Sequence, residues 1–196
     1  MKQKQATNVY FLTSSAVIAA VYVVLTLALA PISFGPVQFR VSEMLCVLPA
    51  FTPAGIYGVT IGCLLANILG GAMLPDIVFG TLATLLGALG TYVLCRGGNA
   101  ADALSAGAAG SGADSRFLTD AAGLRYRLCA VLPPIVSNAV IIPLVLKYAY
   151  HMEDAVWFMV LTVGLGEVLA VGVLGNLLMG ILHRYRGFFF RIPSVR

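Results

Sequence analysis

Arg40 and Glu43 stand in the run Gly35-Pro36-Val37-Gln38-Phe39-Arg40-Val41-Ser42-Glu43, inside a chain otherwise written in apolar residues. Charge at membrane depth is costly and is usually kept for a partner or a ligand. Glu167 poses the same question, because it lies thirteen residues into an apolar segment that begins near Asp154. A carboxylate at that depth should face the interior of a helix bundle. Gln38, Phe39, Asn67, Asp76, Asn138 and Trp157 add amides, a further carboxylate and two aromatic rings. With Arg40, Glu43 and Glu167 they have the makings of the wall and mouth of a binding pocket.

Each of these residues also has a purely structural reading. An ion pair of Arg40 with Glu43 or Glu167 would fix helix packing, and Asn67 or Asn138 could bond one helix to another. Asp76 follows Pro75 and could cap a helix, while Trp157 and Tyr150 suit an interfacial aromatic belt. Lys147 can snorkel to the interface, and Asn176, deeper along its segment, reads as structural. Catalysis has no visible carrier: the chain holds no Walker motif, nucleotide-binding glycine loop, HExxH or acyl-transfer serine motif. The four cysteines have no paired spacing and neither histidine sits at ligand distance from them, so they read as small apolar residues without a metal.

The elements that position these groups are written in hydropathy. Of 196 residues, 60% are hydrophobic and 10% charged, which places the chain in a bilayer as one domain of about six helices. The expected fold is an all-α integral membrane protein, a six-transmembrane-helix bundle. Its segments run over about 10–30, 40–51, 53–70, 76–94, 128–148 and 154–182. Thr52-Pro53 supplies a cap and a first-turn proline for the third. The first is too long for a signal core and reads as a retained span. Residues 97–115, GGNAADALSAGAAGSGADS, form a low-complexity linker with too few apolar side chains to fold alone.

Segment two is short. From Arg40 to Thr52 an α-helix would rise about 18 Å, against a hydrocarbon thickness of about 30 Å. Arg40 and Glu43 are therefore expected below the outer surface, on one helix face, with the Pro31–Gln38 loop folded over them.

If the N-terminus is cytoplasmic, the inside holds Lys2, Lys4, Arg96, Arg116, Arg125, Arg127, Arg184, Arg186, Arg191 and Arg196, leaving only Arg40 and Lys147 of the twelve basic residues elsewhere. That asymmetry is the positive-inside pattern, so both termini are expected in the cytoplasm. It accounts for the net charge of +4 without nucleic acid as a partner. On the first segment Ala16 and Ala20 are spaced small-xxx-small, overlapped by Ser15 and Ala19, which would let another helix approach closely.

The strings QFRVSE (residues 38–43) and IGCLLANILGG (residues 61–71), with DIVFGTLAT (residues 76–84), resemble the queuosine-precursor transporter family. Its members are substrate-binding S components of energy-coupling-factor (ECF) transporters. The resemblance implies six helices, a pocket open to the outside of a bacterial plasma membrane, and no enzymatic activity or cofactor. It also implies energising partners, a membrane T component and two ATPases, docked on an AxxxA face matched here by Ala16 and Ala20. The implied substrate is queuosine, queuine or a 7-deazaguanine precursor. A carboxylate such as Glu43 or Glu167 would accept the base's adjacent N–H donors, Arg40 or Asn138 would meet its carbonyl, and Phe39 or Trp157 its flat face. An S component for another small vitamin and a structural membrane subunit are the alternatives.

Overall fold

A computed structural model of the chain describes residues 2–33, 39–96, 121–149, 151 and 155–184. Gln38, the 97–115 linker, Tyr150, Glu153 and Asp154 lie outside them. All regular structure among the described residues is helical: α1 (Lys2–Ala28), the single turn α2 (Ala30–Ser33), a 3-10 helix (Val41–Ala50), α3 (Ala54–Leu69), α4 (Leu74–Arg96), α5 (Ala121–Tyr148) and α6 (Val156–Glu167). Behind α6 the chain continues as a π-helical stretch, Val168–Gly175, into α7 (Asn176–Arg184).

Four of these stretches are long and apolar enough to cross a membrane: Asn8–Ala28, Leu74–Cys95, Gly123–Tyr148 and Val156–Arg184. The 3-10 helix and α3 are apolar but shorter, so the expected count of six is not reached by span-length helices. The outer faces are dressed for lipid. Leu161 and Leu165 on α6, Val136 and Val140 on α5, and Val24 on α1 are all exposed, and an apolar side chain turned outward along a whole helix needs a hydrocarbon solvent. The chain is a multi-pass membrane protein.

The 3-10 helix is the hub. It packs against α1, α3, α4, α5, the π stretch and α7, and Ser42, Glu43, Leu45, Cys46, Val47, Leu48 and Pro49 are buried. The sequence reading expected an α-helix here, with Arg40 and Glu43 on one face. Instead Arg40 is extended (φ −98°, ψ 102°) and stands ahead of the first turn, so the two side chains leave in different directions. A 3-10 rise of about 2.0 Å per residue carries ten residues about 20 Å rather than about 15 Å. The segment still falls short of the hydrocarbon thickness. Pro49 brings no N–H to the turn it occupies, and the chain leaves through Phe51 N–H and Thr52 N–H, which both donate to Leu48 O.

At the helix starts, the Thr52 hydroxyl accepts from Ala54 N–H at 3.3 Å, as the Thr-Pro pair predicts. α4 starts earlier than expected, at Leu74, which places Asp76 inside its first turn rather than at a cap. The sixth segment is not one regular α-helix, because the backbone widens into the π stretch directly after Glu167. That stretch packs on the 3-10 helix, so the two irregular segments of the fold lie side by side.

Glycine makes the tight contacts. Gly58 and Gly62 on α3 face α1, where a Cβ on Gly62 would lie 2.7 Å from Tyr22 Cβ and one on Gly58 2.6 Å from Ile18 Cβ. The same device lets Pro133 and Pro134 sit inside α5, opposite Gly90 and Gly87 of α4. On α1 the two overlapping small pairs separate: Ser15 and Ala19 are buried against α3, whereas Ala16 and Ala20 are exposed.

Candidate functional site

The face of α1 that meets α3 carries Ser15, Ala19, Tyr22 and Thr26, all buried. Their spacing of four, three and four residues is a helical stripe. Thr26 Oγ1 donates to Tyr22 O at 2.9 Å and lies 2.6 Å from Ser42 Oγ on the 3-10 helix. One turn back, the Tyr22 hydroxyl donates to Glu43 Oε1. Cys46, three residues beyond Glu43, donates its thiol to Oε2 at 3.0 Å. Both oxygens of Glu43 are thus occupied by side chains of α1 and of its own helix.

Arg40 turns the other way. Its Nε donates to Ser33 O at 3.3 Å, and Nη2 lies 3.6 Å from Asp76 Oδ2 at the start of α4. Both side chains of this ion pair are almost wholly enclosed, at 6% and 3% exposure. Neither Glu43 nor Glu167, the partners considered from sequence, is the one seen in that contact.

Asn67 and Asp76 flank Gly80. A Cβ there would meet Asn67 Nδ2 at 3.3 Å, Asp76 Oδ1 at 3.4 Å and Ile142 Cδ1 of α5 at 3.8 Å. Asn67 Nδ2 reaches Cys63 Sγ at 3.6 Å, one turn back on α3, and Thr84 Oγ1 donates to the same sulfur at 3.3 Å. Cys46 and Cys63, expected as apolar filler, therefore belong to the polar cluster. Asn138 lies one turn before Ile142 on α5. It is the hydrogen-bonding neighbour of Glu167, which the charges of Glu43 and Arg40 also reach. The cluster is thus Asn67, Asp76, Arg40 and Glu43, with the Glu167 and Asn138 pair linked to it electrostatically.

Asn67 Oδ1 and Asp76 Oδ1 have no hydrogen-bond partner among the described residues, and Asn138 Nδ2 and Glu167 Oε2, on neighbouring side chains, close no hydrogen bond of ordinary geometry. An unmet buried polar atom costs roughly 1–3 kcal/mol. Atoms of this kind gathered in one cluster call for completion by ordered water or by a ligand. Three are acceptors and one is a donor.

Comparison with known proteins agrees with this membrane setting. The sequence profile described as QueT transporter matches residues 12–184. The chain belongs to the QueT transporter family. A relative from Lactococcus lactis subsp. cremoris (strain MG1363), named "Queuosine precursor transporter QueT", is 43% identical over 82 residues, which are 41% of this chain and 48% of that protein. The match therefore spans about half the length of that curated relative. No solved structure matches the chain.

Of the residues singled out from sequence, Arg40, Glu43, Asn67, Asp76, Asn138 and Glu167 are all buried and come together. Phe39 is half-buried beside Arg40, and its N–H donates to Ile32 O at 3.3 Å. Trp157 stands apart from them, 66% exposed, with its ring edge-to-face against Phe158. Asn176 is structural: it accepts from Arg127 Nε at 2.8 Å and donates back to Gly172 O, closing the π stretch. A cavity of about 180 Å³ lined by Pro49, Ala50, Phe51, Thr52, Pro53 and Tyr92 lies at the far end of the 3-10 helix from Arg40 and touches none of the cluster. No group of three or more His, Cys, Asp or Glu side chains arranged to hold a metal ion occurs among the described residues. Sequence reasoning missed Tyr22, Thr26, Ser42, Cys46, Cys63 and Thr84. The signal for the first two was the stripe Ser15, Ala19, Tyr22, Thr26, and for Cys63 its place one turn before Asn67.

Proposed function

We propose that this chain is the substrate-capturing S component of an ECF-type importer for queuosine or its 7-deazaguanine precursors. The observation that carries the reading is the set of four incompletely bonded buried atoms on α3, α4, α5 and α6. Such a base brings what they lack. Its N1–H and exocyclic amine donate, its carbonyl accepts, and its pyrrole N–H is a further donor. Asn138 Nδ2 meets the carbonyl, Asn67 Oδ1 and Asp76 Oδ1 receive N–H groups of the base, Glu167 Oε2 receives an N–H of the base or of its C7 arm, and Phe39 offers a ring face. Arg40 and Glu43, each held by protein groups, position the cluster. The printed name of the Lactococcus relative supports the choice of substrate.

Gly80 provides the test, because its bare Cα lies between Asn67 and Asp76. Gly80→Val places methyls in that gap and is expected to weaken queuine binding at least about tenfold in calorimetry, since overpacking costs about 1–3 kcal/mol. Unchanged affinity in a folded variant, or no heat with any 7-deazaguanine on the parent protein, overturns the reading.

The exposed Ala16 and Ala20 face of α1 is the docking surface for the T component, and the two ATPases are separate chains. The two shorter apolar helices complete a six-segment bundle. Arg96, Arg125, Arg127 and Arg184 mark its cytoplasmic end in a bacterial plasma membrane. Ala16→Leu with Ala20→Leu is expected to cut cellular uptake by about tenfold or more while the purified chain binds ligand within about twofold of the parent. Full uptake by that variant would remove α1 from the interface.

A further inference from the structure

The charge of the cluster does not balance. Among the described residues its buried carboxylates are Glu43, Asp76 and Glu167 and its buried cation is Arg40, three negative groups against one positive, a formal sum of −2. The three carboxylates are not equally provided for. Asp76 has Arg40 at 3.6 Å, and Glu43 accepts from the Tyr22 hydroxyl and the Cys46 thiol. Glu167 is 7% exposed, with Asn138 as its one hydrogen-bonding neighbour among the described residues, and the charges of both Glu43 and Arg40 lie within reach of it. Glu43 and Glu167 are thus both met by neutral donors, and of the two Glu167 has the fewer. A buried carboxylate beside another carboxylate calls for a counter-charge.

We infer that the bound ligand supplies that charge, and that Glu167 is the counter-ion of an ammonium group carried by the base. The inference rests on the proposed function and narrows it, from 7-deazaguanines in general to those with a protonated amine on the C7 substituent. A 7-aminomethyl group, or the secondary amine of queuine, places a cationic N–H donor at the end of a short arm. A 7-cyano group ends in an acceptor, which Glu167 repels. Both compounds share the same base edge, so the contacts to Asn67, Asp76 and Asn138 are common and the discrimination comes from the arm alone.

The test is calorimetry of the purified full-length chain with 7-aminomethyl-7-deazaguanine and with 7-cyano-7-deazaguanine. The amine is expected to bind at least about thirtyfold more tightly, the lower end of what a buried charge partner contributes at an interface. In Glu167→Gln the ratio is expected to fall to within about threefold through loss of affinity for the amine, whereas Glu43→Gln keeps a large ratio. Equal binding of the two compounds by the parent chain, as when Glu167 is neutralised by a proton of its own, overturns the inference and leaves the proposed function standing. A ratio lost in Glu43→Gln and kept in Glu167→Gln also overturns it. Binding of neither compound, nor of queuine, overturns both. Should Glu167→Gln fail to fold, the parent ratio alone decides.

Discussion

Arg40→Met is expected to destabilise the folded chain by about 3–5 kcal/mol and to abolish ligand binding. Removing one partner of a buried ion pair leaves the other uncompensated, and the cost is of that size. Here it is aggravated, because Asp76 would be left in a cluster that already holds Glu43 and Glu167. Methionine keeps the length and the apolar stem of the side chain, so the loss reports charge and hydrogen bonding rather than volume. The companion Arg40→Met with Asp76→Asn removes the stranded charge. It is expected to recover most of the lost stability while binding stays absent, because Asp76 Oδ1 is one of the acceptors assigned to the ligand. Thermal unfolding in detergent and calorimetry separate the two effects. A single variant as stable as the parent would mean that Arg40 contributes nothing net to the fold.

Much of the cluster was legible because hydrocarbon leaves few places for a polar side chain. Arg40, Glu43, Asn67, Asp76, Asn138 and Glu167 could be picked out by type alone, and the shortness of the segment behind Arg40 led to the expectation that Arg40 is covered, which agrees with its burial in the protein. Their partners were not legible. Which carboxylate meets Arg40 depends on the backbone at Arg40 itself, and an extended residue ahead of a 3-10 turn sends its side chain toward α4 instead of along the helix. No local propensity distinguishes a ten-residue 3-10 helix from an α-helix in VSEMLCVLPA, since that geometry is imposed by neighbours on every side. The π stretch after Glu167 is equally silent in sequence. Trp157 gives a weaker signal: ring chemistry suits a pocket and a lipid interface alike, and its exposure sets it apart from the buried cluster.

The second large effect lies away from any ligand. Gly62→Val is expected to cost several kcal/mol and to lose binding together with stability. A Cβ on Gly62 would stand 2.7 Å from Tyr22 Cβ and 3.1 Å from Ala19 O. The first obstacle is the root of a fully buried side chain and the second is backbone, so neither can rotate away. The helices must part, and overpacking of this kind costs about 1–3 kcal/mol or more. Separation of α1 from α3 also draws the Tyr22 hydroxyl off Glu43 and Thr26 off Ser42. Glu43 would then be left buried with one donor fewer, adding a further penalty of roughly 1–3 kcal/mol. Tyr22→Phe isolates that second part, because it removes the hydroxyl and leaves the helix contact intact. If Gly62→Val unfolds no more readily than Tyr22→Phe, the close approach of α1 to α3 is not what holds Glu43 in place. The expected order is parent, then Tyr22→Phe, then Gly62→Val, read as successive falls in the unfolding temperature of the purified chain.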